Sequence, residues 1–404
     1  MIYIADRHVE DYLHVLANLN TVRIFREAFS EEKICFISAQ AHNLKVKTLL
    51  NDTDPLTEFR TFKNRRPVKN LALRALSLTK RAVDDIFYFK RLFDRSTPED
   101  ILVISHIYPH SLIFFNLLKR FYPRRVVLIM LHGEVEYTLF AYSSTQKLIG
   151  AIYKLCFRIT PSRLNYIFLT KASCNIIEGA DIFAGAKPIC IELPTMVAGK
   201  IITPKDNDGQ RPVKIGHIGS AGKRKNVDQL YVLADMAQDL IADNSIQFSV
   251  VGVLEASIKQ YLTPLVINFV NDQINEPIDR DAYDEEASRL DYAIFFYSTN
   301  DFLLRSSAAF FDAVLHEVPI IAFKNRFFTD LLETHGAMGY LCGNLNDMQA
   351  VIHKIVSEPE VARRHMADFK RNIRVYKSTL SISSIAIDLK MQLKGLLPDA
   401  MMKE

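Results

Sequence analysis

The stretch that decides the fold is residues 213–230, which read Val-Lys-Ile-Gly-His-Ile-Gly-Ser-Ala-Gly-Lys-Arg-Lys-Asn-Val-Asp-Gln-Leu. Its apolar start predicts a buried strand, which is followed by small and basic residues. A helix is expected to begin near Asn226, whose side chain can serve as the N-cap. Glycines let a backbone approach phosphate closely, and cations at a helix start favour an anion. The segment therefore predicts a strand, a phosphate-binding loop and a helix, with a plain turn carrying exposed lysines as the alternative. The glycine spacing is not that of a dinucleotide site, so no nicotinamide cofactor is expected.

The same alternation of short apolar runs and helical periods extends along both halves of the chain. Short, nearly continuous apolar runs are typical of buried parallel strands, and their alternation with helices predicts an α/β protein with two doubly wound sheets. The predicted strands are 2–5, 33–38, 101–105, 126–131, 165–169, 188–192, 213–218, 246–251, 265–269, 292–296 and 318–323.

A polar stretch bracketed by prolines, residues 204–212, has the composition of a linker. It predicts an N-terminal Rossmann-like domain over 1–204 and a second Rossmann-like domain over 205–375. Ligands of open α/β sheets bind at the carboxyl ends of the strands, so a site is expected where such ends face each other across a cleft.

Composition excludes several classes of protein. The 404 residues are 49% hydrophobic and 24% charged, which are globular values. No apolar run reaches the roughly 18 residues of a membrane span, and no secretory signal is recognised. Five cysteines, none in a Cys-x-x-Cys pair, are expected to be reduced thiols of a cytoplasmic protein.

Charge is divided unevenly between the halves. Residues 1–200 carry 28 Lys and Arg against 19 Asp and Glu, whereas residues 201–404 carry 22 against 27. Residues 60–95 hold 11 of those cations and only three acids, and Leu73, Leu76, Val83, Ile86 and Phe87 can form one helical stripe. This segment favours contact with an anionic membrane, peripheral and on the inner face of the cell membrane. The alternatives are a solvated helix whose stripe packs on the sheet and, more weakly, a nucleic-acid contact.

A second informative segment, residues 304–322, predicts a loop, a helix and a buried strand. Ser306 and Ser307 stand at the helix start, where hydroxyls and free N–H groups can hold phosphate oxygens. Asp312 lies on the helix face that also carries Ala308 and Ala309. The alternative is that Ser307 only caps the helix and that Asp312 is solvated.

Together these two segments resemble the nucleotide-sugar-binding half of GT-B glycosyltransferases, close to the retaining family 4 group of bacterial polysaccharide and lipopolysaccharide enzymes. The resemblance is collinear over about residues 213–355 and weaker over 100–195. It implies two Rossmann-like domains and final helices, near 359–374 and 381–396, that return towards the first domain, with residues 376–404 as the crossing segment. The donor-binding positions that it implies are Gly219, Ser220, Arg224, Lys225, Asn226, Gly252, Glu276, Pro277, Ile278, Arg305, Ser306, Ser307 and Asp312.

One departure concerns the Glu-x7-Glu motif of that family. Its first Glu falls at Leu304, and Asp312 replaces the second, so the segment instead resembles the variant Arg-x-Ser-Gly-x3-Asp-Ala with Ala308 in place of Gly. The usual Glu contacts donor-sugar hydroxyls. Arg305 is therefore a candidate contact for phosphate or for a carboxylated sugar.

A third segment, residues 126–136, is an apolar strand that ends in His132-Gly133-Glu134. In the GT-B arrangement this strand end carries acceptor-side groups. His132 is expected to contact the sugar or a transition-state oxygen, and Glu134, or Glu136, to orient or deprotonate an acceptor hydroxyl. His106, which follows another strand, is a further candidate for the same site.

The sequence thus predicts a metal-independent hexosyltransferase that moves a sugar from a nucleotide-sugar donor to a glycan or polyprenyl-linked acceptor. No metal ion is expected, because the Asp-x-Asp motif at Asp52–Asp54 lies in a polar loop without a nucleotide unit upstream. No cofactor is expected because the nucleotide sugar is a substrate, and no nucleic-acid partner is expected because residues 60–95 show little of the aromatic and basic interleaving of a single-strand binding groove. GT-B enzymes stabilise the departing diphosphate with basic residues and helix N-termini instead. A non-catalytic nucleotide-sugar-binding partner protein and a sugar-nucleotide epimerase of the same fold are the alternatives.

Overall fold

The chain folds into two compact units in the computed structural model. Unit 1 comprises Met1–Pro194, Leu304–Ser306 and Ile382–Glu404, and unit 2 comprises Thr195–Leu303 and Ser307–Ser381. The structure describes residues 1–9, 14–50, 54–62, 74–180, 182–183, 188–195, 211–269, 273–276 and 278–397, with the backbone alone for 74–79. The predicted boundary between residues 204 and 205, like Pro277, Asp52 and Thr53, lies outside these residues.

Unit 1 is built on a parallel sheet. Its strands are β1 (Ile2–Asp6), β2 (Ile34–Ala39), β3 (Thr57–Phe62), β4 (Ile101–His106), β5 (Val126–Met130), β6 (Leu164–Phe168) and β7 (Ile189–Cys190). Its helices are α1 (Val15–Ala28), α2 (Gln40–Leu50), α3 (Arg74–Arg95), α4 (Pro109–Lys119), α5 (Ser144–Arg158) and α6 (Lys171–Gly179), with a 3₁₀ helix at Gly133–Thr138. Within the described residues the strand order is β3-β2-β1-β4-β5-β6-β7.

Unit 2 repeats this arrangement. Its strands are β8 (Val213–Ile218), β9 (Ile246–Val251), β10 (Val266–Asn268), β11 (Tyr292–Phe295), β12 (Ile320–Phe323) and β13 (Gly339–Cys342). Its helices are α7 (Asp228–Met236), α8 (Gln238–Ala242), α9 (Arg280–Ser288), α10 (Ala308–Leu315), α11 (Arg326–His335), α12 (Leu345–Ser357) and α13 (Pro359–Thr379), with 3₁₀ helices at Lys223–Lys225 and Ala256–Tyr261. The strand order is β10-β9-β8-β11-β12-β13 in the described part of the chain.

Both sheets bury two faces, which explains why their strands are continuous apolar runs. In unit 1, Ile2, Ile4 and the equivalent alternate residues of β2, β4 and β5 belong to the core that also contains α1. The intervening residues, such as Tyr3 and Leu102, are buried as well. Each sheet reverses its strand order beside its first strand, which is where doubly wound sheets bind ligands.

The last helix, α14 (Ile382–Gln392), belongs to unit 1 although it follows unit 2 in the chain. Its apolar face, Ile385, Ala386 and Leu389, lies in the same core as α1. The preceding helix, α13, instead packs in unit 2, where Phe369 and Tyr376 are buried.

The cysteine prediction is wrong for one pair. Cys174 and Cys190 form a disulfide. Helix α6 and strand β7 place their Cα atoms 6.2 Å apart, within the range that a disulfide spans. Cys35, Cys156 and Cys342 are free and buried.

Candidate active-site residues at the carboxyl edges of the two sheets

The loops that follow β8, β9 and β10 run side by side at the carboxyl edge of the unit 2 sheet. Ala221 is bridged in parallel to Leu254, and Leu254 to Ile274. These three loops carry most of the predicted donor-binding positions, namely Gly219–Asn226, Gly252 and Glu276. Glu276 is exposed and Ile278 half-buried.

Two glycines allow the first two loops to approach closely. Gly219 and Gly252 have φ angles of +90° and +149°, which side-chain-bearing residues rarely adopt. A Cβ atom at Gly252 would lie 2.0 Å from the Gly219 carbonyl oxygen. At Gly219, a Cβ atom would lie 3.2 Å from Ala309 Cβ at the start of α10. The glycines therefore let the β8 loop pack against both the β9 loop and this helix.

The basic residues of the β8 loop point in different directions. Lys225 Nζ lies 3.6 Å from the position that a Gly219 Cβ would occupy, so its ammonium group is beside the glycine turn. Lys223 Nζ instead lies 5.0 Å from the centroid of the Tyr261 ring, and Arg224 is exposed. Lys225 is therefore the cation best placed to meet an anion at this turn.

Asn226 is not the N-cap of α7, so that prediction is wrong; it instead ends the 3₁₀ helix at Lys223–Lys225. Its backbone is left-handed, with φ 54°, and α7 begins two residues later, at Asp228. The side-chain Nδ2 donates to Phe296 O at 2.9 Å and to Ser298 Oγ at 3.1 Å, which ties the β8 loop to the end of β11. Asparagine tolerates this left-handed conformation better than most residues.

Ser220 and the helix start at Ser307 are already hydrogen-bonded within unit 2. Ser220 Oγ donates to Glu255 Oε1, an acid that the sequence analysis did not select. Ser307 Oγ accepts from Phe310 N at 3.2 Å and is bonded to Tyr297 OH at 2.7 Å, so Ser307 is a buried N-cap of α10. In the structure, the side chain of Ser307 therefore caps the helix, as the alternative interpretation expected.

Asp312 is not solvated, so that alternative is wrong. Its Oδ1 accepts from Arg280 Nη2 at 2.9 Å and its Oδ2 from Tyr283 OH at 2.8 Å. Arg280 also pairs with Asp284, which bonds to His316. Asp312 therefore belongs to a charged network that joins α9 to α10 and fixes the helix that begins beside Gly219.

His132 lies at the carboxyl edge of the unit 1 sheet, directly after β5. Its Nε2 is 2.6 Å from Ser105 O. A carbonyl oxygen can only accept, so Nε2 carries the proton and Nδ1 is left as an acceptor in the neutral ring. Burial and the neighbouring His106 lower the pKa of His132 below its ordinary value.

Two further histidines contact His132, and a third contacts one of them. The His14 ring stacks on it, with centroids 4.6 Å apart, and His106 lies edge-on at 5.2 Å. His8 lies 5.5 Å from His106. We call His8, His14, His106 and His132 the histidine cluster. Burial lowers the pKa of His8 to about 4 and that of His14 to about 4, so these rings are neutral near pH 7.

The histidine cluster presents unsatisfied hydrogen-bonding atoms. Nδ1 of His14 and Nδ1 of His106 are buried and have no hydrogen-bond partner within the described residues. A neutral imidazole offers one donor and one acceptor, which suits hydroxyl groups and does not attract an anion. Among the described residues, no group of three or more His, Cys, Asp or Glu side chains is arranged to hold a metal ion.

Of the two acids after β5, one is half-buried and the other is already paired. Glu134 is half-buried, and its negative charge partly opposes the burial that lowers the pKa of His14 and of His132. Glu136 is paired with Arg305, whose Nε lies 2.9 Å from Glu136 Oε2. Ser306 Oγ donates to Leu169 O, so Arg305 and Ser306 are both bonded within unit 1.

His8 and His14 are site residues that the sequence analysis did not select. His8 follows β1 as His132 follows β5, whereas His106 is the last residue of β4 and His14 directly precedes α1. Applying the strand-end argument to β1 as well would have identified His8. Asp6, the last residue of β1, accepts from Asn18 at 2.8 Å and is buried beside the histidine cluster.

Known proteins resemble this chain in structure but do not match it in sequence. No protein-family model matches the sequence, and no curated protein matches it. Solved structures do match over nearly the whole chain. TarM has a TM-score of 0.65 at 12% identity, with 98% of both chains covered. Sucrose-phosphate synthase from Thermosynechococcus elongatus also has a TM-score of 0.65, at 14% identity and 98% coverage of both chains.

An α,α-trehalose-phosphate synthase from Burkholderia xenovorans is similar as well. Its TM-score is 0.62 at 10% identity, with 98% of this chain and 100% of that chain covered. The predicted fold is therefore confirmed, and its placement near family 4 stays a prediction. With two parallel sheets of reversed strand order and these structural neighbours, the chain has the GT-B fold.

Proposed function

We propose that this protein is a glycosyltransferase that transfers a hexose from a nucleotide-sugar donor to a hydroxyl group of a glycan acceptor. The observation that carries the proposal is the turn formed by Gly219 and Gly252 with Lys225 beside it. It combines close backbone approach with a cation at the carboxyl edge of a doubly wound sheet, which suits a nucleoside diphosphate.

The nucleotides named in the descriptions of three structural neighbours support a nucleotide sugar as the donor. Staphylococcus aureus TarM was solved with UDP and alpha-GlcNAc-glycerol, and the Burkholderia xenovorans enzyme is described as UDP-forming. A structure described as trehalose-6-phosphate from Escherichia coli was solved with UDP-2-fluoro glucose. UDP-sugars are therefore the first donors to test.

The chemistry assigned to unit 2 is stabilisation of the leaving group. The diphosphate departs with growing negative charge, and a preorganised cation lowers the energy of the transition state at that point. Lys225 has this role, with Arg224 as a more exposed second cation. Asp312 positions α10 through Arg280 and Tyr283 and does not itself contact the donor. We infer no metal requirement, since this cation can replace one, and EDTA should leave turnover unchanged.

The chemistry assigned to unit 1 is recognition of hydroxyl groups. His132 Nδ1 accepts a hydrogen bond from a substrate hydroxyl, and Glu134 orients or deprotonates the acceptor. The neutral rings of the histidine cluster suit an uncharged sugar. A retaining outcome, a polyprenyl-linked acceptor and a role in bacterial surface polysaccharide synthesis are the finer parts of this proposal.

The test is incubation with a panel of nucleotide sugars, with and without a glycan or glycolipid acceptor. Transfer of the sugar supports the proposal, and the anomeric configuration of the product decides whether the reaction retains it. Conversion of the donor to its epimer without acceptor would instead support an epimerase. Tight binding without turnover would support a non-catalytic partner protein.

A further inference from the structure

Helices α3, α4 and α5 form a continuous layer of unit 1. Helix α4 lies in the middle: Phe115 contacts Phe89 of α3, with ring centroids 4.8 Å apart, and Asn116 donates to Cys156 O of α5 at 2.9 Å. The inward faces of these helices supply buried side chains such as Phe93, Phe115 and Phe157. The layer is therefore held to the unit by its inner face.

The outer face of this layer is unusually apolar. We call it the α3–α5 face, and its large exposed apolar side chains are Val83, Phe87, Phe114, Leu117, Phe121, Leu148 and Leu155. Phe121 is 81% exposed, Leu148 63% and Phe87 59%. Single exposed apolar residues need no explanation, but six on three adjacent helices, with Phe121 on the turn after α4, indicate an interaction surface.

The α3–α5 face is also strongly cationic. Exposed basic residues on its helices and on the turn after α4 are Lys80, Lys90, Arg91, Arg95, Arg120, Arg124, Lys147, Lys154 and Arg158. Among the described side chains of the same segments, Asp94 is the one exposed acid, and it already pairs with Lys90 at 2.6 Å. The surface thus combines exposed apolar groups with an excess of positive charge.

We propose that the α3–α5 face docks on an anionic lipid surface. Phenylalanine and leucine side chains insert into the boundary of the bilayer, while lysine and arginine bind the anionic headgroups. A second copy of the chain fits less well, because a two-fold interface would place the same cations opposite each other. No helix in the described part of the chain is long and apolar enough to cross a membrane, so the contact is peripheral.

The inference goes beyond the membrane contact expected for residues 60–95. Residues 63–73 and the side chains of residues 74–79 lie outside the description, so Val83, Ile86 and Phe87 are the members of the predicted stripe that the structure describes, and Ile86 is half-buried. Val83 and Phe87 point to solvent, whereas Ala82, Phe89 and Leu92 pack inward. Helices α4 and α5, which the sequence did not implicate, contribute most of the exposed apolar residues.

The experiment is sedimentation of the full chain with vesicles, without nucleotide or acceptor, so its result does not depend on glycosyl transfer. We expect binding to phosphatidylglycerol-containing vesicles and little binding to pure phosphatidylcholine. Salt at 1 M should weaken binding, since screening then acts within about 3 Å. Absence of binding to the anionic vesicles overturns the proposal.

Two variants and two matched controls locate the surface. The charge variant is K80E/R91E/K147E/K154E, and its control with the same change in charge is K259E/R364E/R371E/K394E, all at exposed positions elsewhere. The apolar variant is F87S/F121S/L148S, with I267S/V375S/M391S as its control. Both face variants should lower the vesicle partition coefficient at least about tenfold, and neither control should.

Each alternative result overturns the proposal in a recognisable way. Equal binding by the charge variant and the wild type would mean that other cations contact the lipid. A wild-type dimer in analytical ultracentrifugation that the apolar variant dissociates would assign the face to self-association. Thermal melting of every variant serves as the folding check, and because all substituted side chains are exposed, melting close to that of the wild type is expected.

Discussion

Arg305 Nε lies 2.9 Å from Glu136 Oε2, and the other oxygen of Glu136 accepts from Leu304 N at 3.2 Å. The side chains of Arg305 and Glu136 are only 18% and 11% exposed. One carboxylate therefore holds both the side chain of Arg305 and the backbone beside it. The resemblance to GT-B enzymes suggested Arg305 as a donor contact, whereas its ion pair within unit 1 gives it a structural partner.

The first prediction separates these two roles by a double-mutant cycle. Glu136→Gln and Arg305→Met should each lower the free energy of unfolding by about 3 kcal/mol or more, because each leaves a buried charge without its partner. The double variant should lose much less than the sum, since it leaves no such charge. Urea denaturation measures all four proteins. If Arg305→Met leaves stability unchanged but weakens nucleotide binding, the donor contact is correct and the structural role is wrong.

The second prediction concerns Lys225. Because its ammonium lies beside the Gly219 turn, Lys225→Ala should weaken nucleoside-diphosphate binding by about 1.5–3 kcal/mol, the contribution of a hydrogen bond to a charged group. Isothermal titration would then show a Kd raised roughly 10- to 150-fold. Lys223→Ala is the matched control, since the Lys223 ammonium lies over the Tyr261 ring. Equal affinity for Lys225→Ala and wild type would remove Lys225 from the site.

Most of the fold was predictable because buried parallel strands are conspicuous in the sequence. Each of the predicted strands overlaps a strand of the structure: the bounds of β8 and β9 match the prediction, and the ends of the others differ by at most two residues. The strands that the sequence analysis missed are both at sheet edges. Strand β3, Thr-Glu-Phe-Arg-Thr-Phe, is polar at four of its six positions and only partly buried, and β13 is four residues long and begins with glycine. Neither forms a continuous apolar run.

The site was less predictable, for a different reason. Local patterns located His132 and Lys225, because each follows a strand that periodicity identifies. The pairing of Arg305 with Glu136 and that of Asp312 with Arg280 join distant segments, and nothing local indicates which partner a charged side chain finds. The disulfide between Cys174 and Cys190 is likewise set by the packing of α6 against β7.

The third prediction is a pH dependence that arises from Glu192. This residue follows β7 and is 8% exposed, and burial raises the pKa of its carboxyl to about 7. Between pH 4.5 and pH 7 the folded protein keeps a proton that the unfolded chain has released. The free energy of unfolding therefore falls as the pH rises through this window, by up to about 3 kcal/mol.

Glu192→Gln should remove this penalty. The variant should be more stable than the wild type at pH 8 and no more stable at pH 4.5, where the wild-type carboxyl is also neutral in the folded state. Urea denaturation at both values measures the difference. Glu178→Gln is the control, because Glu178 is exposed on α6 and its substitution should not change the pH dependence. Parallel behaviour of Glu192→Gln and wild type at both pH values would contradict the prediction.

The last prediction concerns His132. We expect His132→Ala to lower turnover by roughly 10²-fold or more and to leave the affinity for the nucleoside diphosphate close to wild type, since that ligand is assigned to unit 2. Positioned acids, bases and hydrogen-bonding groups contribute about 10²–10⁴-fold to rates. Steady-state kinetics with the active donor and acceptor, together with titration of the diphosphate, measure both quantities.

His132→Gln tests which ring nitrogen matters. The Gln amide can reach the position of Nε2 and still donate to Ser105 O, but it provides no acceptor where Nδ1 lies. If His132 acts through Nδ1, the Gln variant should fold like the wild type and be as slow as His132→Ala. If His132 only holds the end of β5 to Ser105 of β4 through its hydrogen bond, His132→Gln should keep that bond and should restore the turnover that His132→Ala loses. Wild-type turnover in a folded His132→Gln protein would therefore mean that His132 has only a structural role. His14 and His106, whose Nδ1 atoms have no hydrogen-bond partner among the described residues, would then be the groups to test next.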